Sequence, residues 1–159
     1  MDGKGEKLMI EDKHKDIVNY LEQVIKIIEK MGIKIVDFSD RYVNLMLPKE
    51  PNVNHFGTVY AGSLFSLADF SAGVLFFASF DYKKYFPLLK EASIRYRRPA
   101  TTNMTVELKL TPEQVAEARK AAEEKGKVDM VADLEIKDEH EEICCLVHLL
   151  WQIRKIDKK

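Results

Sequence analysis

Between Phe56 and Phe80 the chain reads FGTVYAGSLFSLADFSAGVLFFASF, and Asp69 is the one charge in it. The chain as a whole carries 25 basic and 26 acidic residues, so this stretch has to be buried somewhere. It is about as long as a membrane span, which takes ~20 apolar residues. Three features argue against a span. A mid-helix acid costs roughly 2.5–3.5 kcal/mol on insertion scales. Four Ser and two Gly interrupt the segment from Gly62 to Ser79. The flanking segments alternate like strands of a soluble domain. What remains is a helix buried on nearly all sides. A carboxylate inside such a helix finds partners or stays protonated. Two roles fit Asp69 equally well here: hydrogen bonding to hydroxyls such as Ser66 or Ser71 that only fixes packing, or a perturbed acid at a reactive site.

The rest of the chain supplies what covers that helix. A length of 159 residues suits one domain with a real core. Residues 1–10 read as a frayed end. From Asp12 to Met31, Ile17, Val18, Leu21, Val24, Ile25, Ile28 and Met31 recur at helical spacing and Gly32 offers a stop, so 11–32 is expected to be one amphipathic helix. Residues 33–155 form the core. Lys34 to Phe38 and Tyr42 to Leu47 read as a hairpin about Ser39 and Asp40. Pro48 and Pro51 break it. Val53 to Val59 leads into the central helix near Ala61, and Asp81 to Pro87 is an exit turn.

Three or four strands follow: Lys90 to Arg98, Met104 to Leu110, Val128 to Ile136 and Ile143 to Ile153. The last is apolar in part on both faces, which predicts cover on both sides by the first helix or by another subunit. Thr111-Pro112-Glu113-Gln114 is a capping box opening a surface helix that Gly126 ends. The sum is an α+β domain: a curved, mostly antiparallel sheet wrapped around one long buried helix, with an added N-terminal helix and a surface helix between strands.

Composition narrows function. Charges nearly cancel, so no global basic field points to nucleic acid. The polar start MDGKGEKLMIEDKHKD predicts no secretory leader. Cys144 and Cys145 are adjacent in a strand pattern, and no CxxC or His cluster suggests a metal. These features fit a reducing cytoplasm.

The segment Asn54-His55-Phe56-Gly57-Thr58-Val59-Tyr60-Ala61-Gly62, followed by Asp69 seven residues later, resembles the signature of hotdog-fold acyl-CoA thioesterases of the PaaI type. That signature is an Asn, then His-Gly-Gly six residues on, then an Asp seven residues beyond. Tyr96-Arg97-Arg98-Pro99-Ala100 resembles a strand end of the same family, and the resemblance runs over residues 33 to 155. Tyr60 stands where the family has His, Ala61 where it has its first Gly, and Leu89 where it often has Ser or Thr. The resemblance implies hydrolysis of acyl-CoA to a carboxylic acid and free CoA without a cofactor or metal, in a homodimer that pairs into a dimer of dimers.

On that reading Asp69 is the general base or nucleophile. Asn54 orients the water or the thioester carbonyl, and the amides of Ala61 and Gly62 hold the oxyanion at the positive end of the helix. Asp69 lies seven to eight residues past the helix start, roughly 11 Å at ~1.5 Å per residue. It cannot reach its own helix's amides, so the active unit is expected to be a two-fold dimer with shared sites. Arg97 and Arg98 are candidates for the coenzyme A phosphates, or part of an ordinary solvated face. His55 is a stand-in for the missing His or a loop residue without a role. Tyr60 packs, or lines the tunnel mouth. A non-catalytic acyl or acyl-CoA binder on the same scaffold is the alternative to a thioesterase.

Overall fold

The computed structural model describes residues 9–157. Of the expected frayed end, residues 1–8 lie outside that range. Met9–Ile10 instead form β1, which pairs in parallel with the next strand. The single N-terminal helix expected over 11–32 is a 3-10 turn, Asp12–His14, and two helices: α1 (Lys15–Val24) and α2 (Lys26–Met31). The break falls at Ile25, whose backbone is extended at φ −98°, ψ 107°. The break lets Ile28 and Leu21 both face the core while Val24 and Ile25 face water. Gly32 ends α2 at φ 72°, a left-handed conformation that glycine adopts without a side-chain penalty.

The hairpin forms as β2 (Lys34–Ser39) and β3 (Tyr42–Leu47). The central helix is α3 (Ala61–Ser79). Its strand, β4, spans Tyr85–Tyr96, so the segment read as an exit turn to Pro87 already contains the first residues of a strand. Four strands follow α3, completed by β5 (Met104–Lys109), β6 (Lys127–Lys137) and β7 (Ile143–Lys155). Helix α4 (Pro112–Lys125) intervenes, with the Thr111–Gln114 capping box formed in both directions.

The sheet order is β1-β2-β3-β5-β6-β7-β4, antiparallel except at β1. Register sorts the side chains. Val43, Leu45 and Leu47 stand opposite Leu108, Val106 and Met104, and all six are buried against α3. Cys145, Val147, Leu149 and Trp151 continue the same face on β7. Between β5 and β6 the ladder is a single pair, Thr105 with Lys137, so the sheet bends there and wraps the helix.

On the convex side of β7, Leu146 and Leu150 are half-buried and His148 is exposed, paired to Asp133 at 2.7 Å. The cover expected there from the first helix is absent, because α1 packs at the β2 end. Helix α4 lies against β6 and β7 on the α3 side, where Glu123 meets Tyr85 and Lys155, and buries Val115, Ala118 and Ala122.

Helix α3 is held at both ends. At its C-terminus the Arg119 guanidinium donates to the Ser79 carbonyl at 3.1 Å, and the Arg41 amide donates to the Ala78 carbonyl at 3.0 Å. A cation there also suits the negative end of the helix dipole. Eleven of its nineteen residues are buried, so its stability comes from the sheet rather than from its Gly- and Ser-containing sequence.

Burial on nearly all sides is nevertheless not what the fold shows. Gly62, Ser66, Asp69, Gly73 and Phe77 are exposed or half-buried and recur at helical spacing, leaving one open stripe. Phe65 flanks it, also exposed.

Candidate active site

The loop into α3 is built before the site is. Asn52, buried, donates from Nδ2 to the carbonyls of Met31 (2.8 Å) and Pro48 (2.9 Å), and its own carbonyl accepts from the Tyr60 amide at 2.8 Å. The Val59 amide donates to Ala100 at 2.8 Å. Asn54 closes the turn above: Nδ2 donates to Thr58 Oγ1 at 3.0 Å, while Oδ1 accepts from the amides of Phe56 (2.9 Å) and Thr58 (3.2 Å). The side chain proposed to orient water thus also builds its own loop. His55 sits on the outer side of that loop, exposed, its ring 4.0 Å from the ring of Phe56. Phe56 itself is 79% exposed.

At the helix start, the amides of Ser63 and Leu64 both donate to the Tyr60 carbonyl, at 3.0 and 3.2 Å. The amides of Ala61 and Gly62 precede any intrahelical acceptor, and the Tyr60 side chain does not cap them. Two donors at the positive end of a 19-residue helix are the makings of an anion site. The Tyr60 ring lies over Gly62 so closely that a Cβ there would fall 2.5 Å from its Cε1. Tyr96, the last residue of β4, donates its phenol proton to the Ala61 carbonyl at 3.1 Å. Burial raises the Tyr96 phenol above its usual range, and the neighbouring Cys145 and Tyr60 add to the shift.

Asn54, Phe56, Ala61, Tyr96, Arg97 and Arg98 line one open cavity of ≈520 Å³ beside this helix start. The two arginines differ. Arg98 pairs with Glu142 at 2.8 Å, whereas Arg97 is exposed and has no ion pair among the described residues.

Asp69 is elsewhere, two turns along the open stripe. The packing role considered for it is not realised with either serine. Ser66 donates to the Gly62 carbonyl at 2.9 Å and Ser71 to the Ala68 carbonyl at 2.7 Å. Among the described residues the Asp69 carboxyl has no hydrogen-bond or ion-pair partner, and desolvation by its surroundings raises its pKa above the ordinary value. An intact helix separates it from the Ala61 and Gly62 amides by roughly 11 Å. Within one chain the Asp69 carboxyl and the two free amides are therefore too far apart to touch the same atom.

Two participants escaped the sequence reading. Asn52 looked like one more residue of a proline-rich break, and its position two before Asn54 was the available signal. Tyr96 was noted only as part of a strand end.

The family profile described as "Putative thioesterase (yiiD_Cterm)" matches residues 14–148. A Pseudomonas aeruginosa protein described as of unknown function and a probable thioesterase superposes with a TM-score of 0.86 at 33% identity, covering 89% of this chain and 95% of that one. A Chlorobaculum tepidum protein of unknown function gives 0.78 at 18% identity over 94% and 98% of the two chains. A Haemophilus influenzae thioesterase gives 0.68 at 15% identity over 89% and 92%. The last two show a shared fold alone. No curated protein matches the sequence.

Proposed function

This chain belongs to the yiiD C-terminal family of thioesterases, of hotdog fold, and from that premise we propose that it hydrolyses an acyl-CoA thioester to a carboxylic acid and free CoA in sites shared across a homodimer. One observation carries the reading. The one charge on α3 has no polar partner among the described residues and stands on the helix's open stripe, while the helix start leaves two amides without an intrahelical acceptor.

A second copy running antiparallel along that stripe brings its Ala61 and Gly62 amides level with Asp69. In that arrangement Asp69 takes the proton from an attacking water as the new C–O bond forms. The oxyanion rests on the two amides of the other copy. The C–S bond then breaks, and the CoA thiolate leaves and is protonated. The exposed Arg97, beside the cavity at the helix start, offers a partner for the CoA phosphates.

Mixed dimers test this. Asp69→Asn removes the base. Ala61→Pro removes one oxyanion amide at a first-turn position that tolerates proline, after a residue already extended at ψ 134°. Each variant is expected to lose about 10²-fold or more in thiol release. Dimers containing one copy of each regain one working site. If mixing restores nothing, the shared-site reading is wrong.

A binder without turnover has one observation in its favour: Asn54 is engaged in its own loop, and Tyr60 replaces the family's His. Ligand-dependent stabilisation without thiol release from any acyl-CoA would establish it.

A further inference from the structure

We propose that the aromatic groove between α1 and the C-terminal end of α3 holds the apolar end of the acyl group, and that it selects chains of medium length. The proposal rests on the thioesterase reading and supplies its substrate class.

The groove has a volume of ≈560 Å³ and is walled by Ile17, Tyr20, Phe77, Tyr82, Phe86 and Pro87. Its size and apolar lining suit a small-molecule site. Its charged lining residues are Lys13, on the 3-10 turn, and Asp16, on α1, and both are exposed. The rings are held in place: Phe77 packs edge-on to Phe76 at 5.4 Å and tilts against Tyr82 at 5.4 Å. Yet Tyr20 remains 56% and Tyr82 51% exposed. These rings form a preformed wall that no described residue covers.

Position ties the groove to the chemistry. Phe77 lies eight residues beyond Asp69 on the same open stripe, ~12 Å along the axis. Between them is Gly73, which puts no side chain of its own in the path. From the start of its own helix, Phe77 is sixteen residues away, ~24 Å. The groove therefore serves the Asp69 of its own chain together with the helix start of the second copy. An extended chain advances roughly 1.3 Å per carbon, from a ~1.5 Å carbon–carbon bond. About nine carbons then reach from the reacting carbonyl to the groove.

The test is thiol release from butyryl-, decanoyl- and hexadecanoyl-CoA, with wild type, Ile17→Trp and Tyr82→Ala. Ile17→Trp fills the groove from α1, and the ratio of decanoyl to butyryl turnover is expected to fall about ten-fold or more. Tyr82→Ala widens it and moves the ratio of hexadecanoyl to decanoyl upward. A second readout is independent of turnover: decanoate raises the Tm of wild type, and Ile17→Trp removes that shift. Unchanged ratios in both variants, or a decanoate shift that survives Ile17→Trp, overturns the proposal. A wild type that releases no thiol yet shows a decanoate shift lost in Ile17→Trp keeps the groove as an acyl site and rejects the hydrolase.

Discussion

The Tyr96 phenol donates to the Ala61 carbonyl at 3.1 Å, so the end of β4 grips the first peptide of α3. That peptide is planar and carries the Gly62 N–H at its other end, so fixing the carbonyl fixes the direction of the proposed oxyanion donor. Tyr96→Phe removes the grip and nothing else. The net worth of such a bond is about 1 kcal/mol, so kcat is expected to fall about five-fold with KM unchanged. Steady-state thiol release separates the two constants, and a change confined to KM would contradict the positioning role.

The close approach of Tyr60 to Gly62 makes a signed prediction about stability. Because Tyr60 is exposed, Gly62→Ala pushes the ring outward rather than moving the backbone, at a cost of less than about 1 kcal/mol. In a Tyr60→Ala background the obstruction is gone, and Gly62→Ala becomes stabilising by up to about 1 kcal/mol, the helix preference of Ala over Gly. Urea denaturation of the four proteins gives the coupling.

Asp69 has opposite signs in stability and in activity. Desolvation by its neighbours raises its folded pKa above the ordinary 3.8. Its protonated form therefore favours folding. That contribution is complete below the unfolded value and is lost as pH rises through the folded one. Asp69→Asn is expected to raise Tm at pH 7, with a gain that shrinks toward pH 3. In the proposed mechanism turnover needs the carboxylate, so wild-type kcat/KM is expected to rise with pH through a midpoint above the usual aspartate range. Thermal unfolding and rate profiles over the same buffers check both signs.

The two arginines at the helix-start cavity are not equivalent. Arg98 already holds Glu142 at 2.8 Å, while Arg97 is exposed and unpaired among the described residues. Arg97→Ala is expected to raise KM for acyl-CoA about ten-fold and to flatten its salt dependence, with Arg98→Ala several-fold weaker. With an acyl-pantetheine substrate, which lacks the nucleotide phosphates, both variants match wild type.

Periodicity and turn chemistry located most of the architecture. The alternation in Met104 to Leu110 and Val128 to Ile136, the capping box at Thr111 and the apolar run after Ala61 are local signals, and local backbone preferences obey them. The start of β4 was hidden because Tyr85, Phe86 and Pro87 look like a turn until Lys155, Arg154 and Ile153 stand opposite them. The break at Ile25 was hidden for the opposite reason: apolar spacing continues straight across it.

The candidate site divides along the same line. Asp69 stood out by itself, because an acid in an apolar helix is visible in one dimension, while Asn54, Ala61 and Gly62 were singled out by the resemblance to the thioesterase signature. Whether Asp69 is sealed or open depends on which helical face the sheet covers, and that follows from long-range packing between segments far apart in the chain. The fold leaves the stripe of Asp69 and Gly73 uncovered, spends the Ser66 and Ser71 hydroxyls on their own helix, and brings Tyr96 across from a distant strand to hold Ala61. The serine bonds are local, but the open stripe and the reach of Tyr96 to the Ala61 carbonyl join segments far apart in the chain, and sequence order carries no trace of their distance in space.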